Sequence, residues 1–594
     1  VTNPLLPRPA RTAGRILVWM LLILLVLVAA AVVWLGVRAS LAASHLRAAE
    51  STARSVAADI DDPATVSERL PAIARETAAA RSLTSDPVWA AAEGLPWIGD
   101  QLSAVGVVTA ALDEVAGTAL VPLIDVASDF SLDALRPVDG RFDLTGFTDL
   151  QPAAEAGAAE IGRAADAVDG IDLGGVLPPL AESVADISAL LHTVHDGADA
   201  VARATALMPR MLGQEGPRNY LVVFQNNAEW RSLGGIVGAM AVIHTEDGAI
   251  SLSAQASATF DFPRYTEPVL DIGPDLATIT AGKPGQWFQN ATQVPEFSQA
   301  AEISSEMWAR EMGMRVDGVL SLDPVALSYL LAATGPVALP SGDMLTAENA
   351  IPLLLNEVYL RYDGGAEQDA FFEAAAASVF SALSDGSADP RVLMSGLARA
   401  GAEHRLLIWN ADEAEQAILD GTTLQGGLPV TDAEQTSFGV YLNDGTGSKM
   451  DYYMHVGTDV QWCTGTTGAQ EAALLVRLRD DAPADAAALP SYITGGGGFG
   501  TPAGVTNTVA YLYLPRGSEL VSATATGGGP TPGFSTASDR DHTVLTWATD
   551  LRPGEEATAL IRVRTPVTDS LLVRATPVIP GTSATIDGAC AGLA

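Results

Sequence analysis

The run ILVWMLLILLVLVAAAVVWLGV, from Ile16 to Val37, carries no charge over 22 residues. At the helical rise of about 1.5 Å per residue it spans roughly 30 Å, the thickness of a bilayer's hydrocarbon. A segment of this kind has two uses, as a membrane helix or as a cleaved secretory signal. Ser40-Leu41-Ala42 offers small residues for cleavage, but the apolar core exceeds the roughly 7–15 residues of a signal, which favours an anchor. Arg8, Arg11 and Arg15 precede the run and only Arg38 follows closely. The positive-inside rule then places residues 1–15 in the cytoplasm, 16–37 in the cell membrane, and everything from 39 outside.

An exported body explains the cysteine usage. Cys463 and Cys590 are the only cysteines, and in an oxidising compartment they are expected to form one disulfide pinning the C-terminal tail to a strand. Hydrophobic residues make up 48% of the chain against 18% charged, enough apolar surface for folded cores rather than disorder. The net charge of −38 argues against a nucleic-acid partner, because a polyanionic surface repels phosphates.

At 594 residues the chain is too long for one core, and its pattern changes along its length. Residues 39–215 are rich in Ala, Leu, Asp and Glu with helical apolar spacing, interrupted at Asp61-Asp62-Pro63, Gly94-Leu95-Pro96, Arg136-Pro137 and Leu177-Pro178-Pro179. Residues 216–436 alternate strands such as NYLVVFQ with helices, the pattern of an α/β layered domain. Residues 437–594 carry short strands between turn signals, as a β-sandwich does. The fold class expected is therefore multidomain α+β: membrane helix, extracytoplasmic helical region, α/β domain and C-terminal β-sandwich. The glycine runs at 495–498 and 527–529 read as hairpin loops.

The segment FQNNAEWRSLGGIVGA concentrates polar groups just where a buried strand ends. Polar side chains at a strand's C-terminal end can face a crevice, as they do on open α/β sheets. Asn227, Glu229 and Arg231, with backbone freedom at Gly234 and Gly235, are candidate ligand contacts, Arg231 first because a guanidinium forks onto anionic groups. The competing reading pairs Glu229 with Arg231 as a local cap. TFDFPRYTEP adds Asp261 and Arg264. In LNDGTGSKMDYY, Lys449 is one of only two lysines in the chain, and a buried pair of Lys449 with a carboxylate joining two domains, alongside Asp451, is the expected role.

The combination of the single N-terminal apolar helix, SDPVWAAAEGLPWIGDQL, NYLVVFQNNAEWRSLGGIVGAM, RVDGVLSLDPVALSYLLAATGPV and NDGTGSKMDYY resembles the actinobacterial membrane-anchored family carrying domain of unknown function 4012. Scarce lysine beside abundant Ala, Gly and Arg suggests a GC-rich genome, in keeping with an actinobacterial source. More distantly, NYLVVF, Arg231-Ser232, a hairpin, VDGVLSLDPVALSYLLAATGPVAL and Tyr359-Leu360-Arg361 are similar to the LytR-CpsA-Psr phosphotransferases. That resemblance implies enzymes that move glycopolymers from a polyprenyl pyrophosphate carrier to the wall, with arginines on the pyrophosphate and aspartates on magnesium. Arg231 and Arg361 would match the arginines, and Asp261 lies near the aspartate at a strand end. Where those enzymes carry further aspartates this chain has Gln225 or Asn226 and Leu233, so Glu229 and Asp261 remain as substitute oxygen ligands for magnesium, and DAFFEAAAASVF lacks the Arg-Gln pair expected there. Two functions follow as expectations: an anchored cell-envelope protein that binds or scaffolds wall glycopolymer assembly, engaging the bilayer and polyprenyl-linked glycans or envelope proteins, and a phosphotransferase with Arg231 and Asp261 as catalytic residues.

Overall fold

The computed structural model describes residues 8–58, 63–120, 136–464, 470–529, 533–580, 583–585 and 590. Expected breaks at Asp61 and Asp62 lie outside them. The protein is a mixed α/β chain with a long N-terminal apolar helix and several sheets, and it divides into two compact units, Val1–Ser131 with Leu144–Pro209 and Leu132–Asp143 with Arg210–Ala594.

The first unit is helical. Its opening helix, Arg8–Ala58, contains the apolar run, whose side chains from Ile16 to Val28 are all exposed. Its length and composition suffice to cross a membrane. The helices Pro63–Leu83, Gly99–Glu114, Thr145–Asp169 and Pro178–Met211 follow. Alanines at 104, 111, 154, 158 and 165, with Ile161 and Leu191, fill a shared core, and small side chains of this kind let helices approach closely. Prolines at 63 and 178 open two of these helices, where a missing N–H costs nothing.

The second unit begins with the strands β1 (Arg218–Asn226), β2 (Ile236–Glu246), β3 (Ala249–Ser257), β4 (Gly318–Leu322), the short hairpin β5–β6 (Val337–Ala338 and Met344–Leu345) and β7 (Leu407–Asn410). Five of them form a sheet in the order β3-β2-β1-β4-β7, in which β1 and β4 run parallel and the other pairs antiparallel. Arg136 to Phe142, expected within the helical region, instead belong to this unit: Arg141 bridges to Ala249 and the Phe142 N–H donates to the Gly248 carbonyl.

Period-2 alternation gives each strand two apolar faces. On one, Leu221, Val223, Met240, Val242 and Val319 pack with Phe297, Ile303, Met307 and Trp308 of the helix Phe297–Met312. On the other lie Val222, Phe224, Ala241 and Leu320, facing the helices Pro324–Thr334 and Gly365–Ser384. The helix after β4 starts where Asp323 accepts the Ala326 N–H at 2.7 Å and Pro324 takes the first position, a strong local stop for the strand.

The remaining strands are β8 (Gln435–Asp444), β9 (Met454–Thr464), β10 (Gln470–Asp480), β11 (Thr506–Tyr513), β12 (Glu519–Gly527), β13 (Phe534–Asp539), β14 (His542–Leu551), β15 (Glu556–Arg564), β16 (Ser570–Ala575) and β17 (Ser583–Thr585). They form two sheets of five, β12-β15-β10-β9-β17 and β13-β14-β11-β8-β16. Phe438, Leu512 and Trp547 from one and Val456, Leu474 and Ile561 from the other share one core. Cys463, at the end of β9, is bonded to Cys590 with Cα atoms 5.6 Å apart.

Candidate functional site

The polar segment after β1 folds back onto the end of its own strand. Asn226 Oδ1 accepts the Ala228 N–H at 3.0 Å, and the Ile236 N–H donates to the Glu229 carbonyl at 2.9 Å. A Cβ on Gly235 would stand 2.2 Å from the Asn226 backbone, so only glycine closes this loop. The Gly235 N–H donates to Gln225 Oε1. The glycine pair is thus a packing device, and neither Gly234 nor Gly235 lines an open space. Asn227 is buried behind the loop, donating to Asp323 and to the Pro577 carbonyl.

Trp230, between the two charged residues of the loop, is buried in the core shared by the two C-terminal sheets. Its N–H donates to Asp451 at 2.7 Å, its carbonyl accepts the Asp444 N–H at 2.9 Å, and the Ser232 N–H donates to Asn443. LNDGTGSKMDYY is therefore the partner that holds the loop. The tail after β16 completes the clamp: Thr576 donates its hydroxyl to the Ser232 carbonyl, and Arg405 donates to the Val578 carbonyl.

This clamp fixes three buried charges. Glu229 (4% exposed) receives Arg231 Nη2 on one oxygen at 3.1 Å and Lys449 Nζ on the other at 2.5 Å. Arg231 also donates to Asn290 at 3.0 Å and to the Trp230 carbonyl at 2.7 Å. Lys449 lies 5.5 Å from the ring centres of both Tyr359 and Tyr492, which stack on each other with centroids 5.6 Å apart. Burial pushes the Glu229 carboxyl upward, but Lys449 and then Arg231 outweigh it and hold the group below its ordinary value. Burial lowers Lys449 and the Glu229 charge more than reverses that. Close by, burial and the Glu229 charge raise Asp444 to about 6, while burial and Asp444 raise Asp451 well above the usual range.

Beside these charges opens a cavity of about 960 Å³, near the upper end of small-molecule sites. Its body is apolar: Val222, Phe224, Ala241 and Leu320 of the sheet face Leu330, Phe372, Ala376, Val379 and Phe380 of the helices. Its wall also carries charged groups, the cations Arg231, Arg264, Lys283 and Lys449 beside the carboxylates Glu229, Asp323, Asp369 and Asp444, together with Tyr359 and Tyr492. Arg264 is exposed and stacks 5.4 Å from the Trp287 ring. Both of the chain's lysines line this one cavity.

Other expected site residues lie elsewhere. Arg361 is outside the cavity lining, bonded to Asp343 at 2.8 Å on the exposed end of a short helix. Asp261 is exposed, with one carboxylate oxygen accepting the Ser257 N–H. The resemblance does not bring either of them to Arg231. Sequence reasoning missed Trp230, Tyr492 and the glycine turn at 495–497, which forms part of the cavity wall rather than a free hairpin.

A magnesium ion takes about six oxygen ligands, and the residues present do not fit one. Both Glu229 oxygens hold cations, Asp323 is bound to Arg405 and to the helix it caps, and Asp444 is engaged with Thr446 and the Gly447 N–H, which leaves Asp369, with Oδ2 unpartnered, as the one carboxylate of the lining open to an ion. Among the described residues no three His, Cys, Asp or Glu side chains group as a metal set.

Residues 215–359 match the family described as Protein of unknown function (DUF4012). The likeness expected from NYLVVFQNNAEWRSLGGIVGAM and VDGVLSLDPVALSYLLAATGPV holds over this segment, which ends before Lys449 and Tyr492. No curated protein matches the chain.

Proposed function

We propose that the protein is a single-pass, membrane-anchored extracytoplasmic protein that binds a long-chain lipid with an anionic head, of the polyprenyl-linked type that carries glycans in cell-envelope glycopolymer assembly. The observation that carries this reading is the cavity, apolar along its body and with the cations Arg231, Arg264, Lys283 and Lys449 in its wall. A scaffold with no small-molecule ligand would have side chains in that space. The outward orientation of the bulk of the chain is supported by Arg8, Arg11 and Arg15 ahead of the apolar helix and by the disulfide, which suits an oxidising compartment. The family match names no activity.

Binding in support of assembly is favoured over transfer chemistry of the LytR-CpsA-Psr kind. Asp261 and Arg361 stand away from the cavity, and the carboxylates closest to Arg231 are committed to protein partners. The test is mass spectrometry of lipids retained by the detergent-extracted chain, with Ala376→Trp, which fills the cavity from the helix Gly365–Ser384, as comparison. Polyprenyl species on the wild type and their loss from the variant are expected. A wild type that retains no lipid and binds none when it is supplied would sink the reading.

A further inference from the structure

Glu229 lies in the wall of the cavity, and both cations it holds are part of the chain. Lys449 reaches it from the loop after β8, beyond the family match, and its backbone N–H is fixed on the Ile493 carbonyl at 2.8 Å. We infer that the Lys449 ammonium stands in for a divalent ion here: it neutralises Glu229 and presents positive charge to the cavity, so that an anionic head group is held without metal.

Three observations support this. An ammonium is a compact point charge, unlike the flat fork of arginine, and this chain, which uses arginine almost everywhere, places a lysine here. The bond to Glu229 occupies one of three N–H donors, while stacked Tyr359 and Tyr492 hold the group in place. A dication arriving at Glu229 would meet Arg231 and Lys449 already on its two oxygens, and like charges at that range repel strongly in a buried site.

The inference takes its ligand from the lipid-binding reading, but its geometry is independent of it, and two measurements on the full-length chain in detergent keep them apart. In the first, Mn²⁺ is titrated and free ion followed by electron paramagnetic resonance. No saturable uptake at this site is expected; uptake that disappears in Glu229→Gln overturns the inference. In the second, undecaprenyl phosphate and the neutral alcohol undecaprenol are bound with and without EDTA. The wild type should bind the phosphate equally in both. The variant Lys449→Met, which removes the ammonium and leaves Glu229 paired with Arg231 rather than as a lone buried ion, should bind the phosphate about tenfold more weakly, the loss of one charge-assisted contact, with undecaprenol unchanged. Phosphate binding that needs metal, or that survives undiminished in the folded variant, overturns the inference. If the wild type binds neither lipid, the lipid-binding reading fails, and the Mn²⁺ titration alone decides: saturable uptake that disappears in Glu229→Gln overturns the metal-free site and its absence supports it.

Discussion

The two faces of the sheet β3-β2-β1-β4-β7 have almost the same chemistry and opposite fates. Leu221, Val223, Met240, Val242 and Val319 meet a solid wall containing Trp308 and Phe297. Val222, Phe224, Ala241 and Leu320, one residue along in each case, look into about 960 Å³ of space. The difference comes from what covers each face. Bulky Phe, Met and Trp side chains reach down on the first side, while the helix Gly365–Ser384 opposes the second with the small Ala375 and Ala376 between Phe372 and Val379. An open apolar face sacrifices packing contacts, and retaining one in a protein is a sign that something else fills it.

The largest test of this contrast is Trp308→Ala on the filled side, which should cost about 3–5 kcal/mol by leaving a void, read by chemical denaturation. Ala301→Trp on the same side should cost roughly 1–3 kcal/mol or more through overpacking, whereas Ala376→Trp on the open side should leave the melting temperature near that of the wild type; equal losses in the two would break the comparison. Phe380→Ala, lining the cavity, should cost only about 1–2 kcal/mol, well below a buried aromatic truncation, because no new void is made. The smallest effect concerns the charged wall. Asp444 has a folded pKa raised to about 6 from an ordinary 3.8, so its protonated form favours the fold: its contribution is complete below about pH 4 and lost as pH rises through 6. Asp444→Asn should flatten the melting temperature between those values, and an unchanged slope would remove Asp444 as its source.

Much of the fold was readable from local pattern. The continuous apolar run in NYLVVFQ marks a strand buried on both sides, VLSLDPVALSYLL marks a strand that leads into a helix, and the apolar run at 16–37 fixes a long helix. The charged site was legible only in part. Lys449 stood out by its rarity, but its partner Glu229 lies 220 residues earlier, and no local signal links them. Arg361 was drawn in by resemblance, although its neighbours Asp343 and Glu357 already satisfy it. The cavity itself was illegible, since a strand facing empty space and a strand facing a helix show the same period of two. The glycines at 495–497 misled for a related reason: a flexible composition became a fixed wall once Gly495 packed against the Thr446 carbonyl, where a Cβ would come within 2.8 Å.

Thr576 contacts Ser232 across 344 residues, and Val578 receives Arg405. Such long-range closure is slow relative to local helix and hairpin formation. These two bonds can form only once nearly the whole chain has been made. A chain cut short before residue 576 would keep all three charges of the knot yet leave the Ser232 carbonyl and one Arg405 nitrogen without these partners, so the end of the chain acts as the latch on a loop made near its middle.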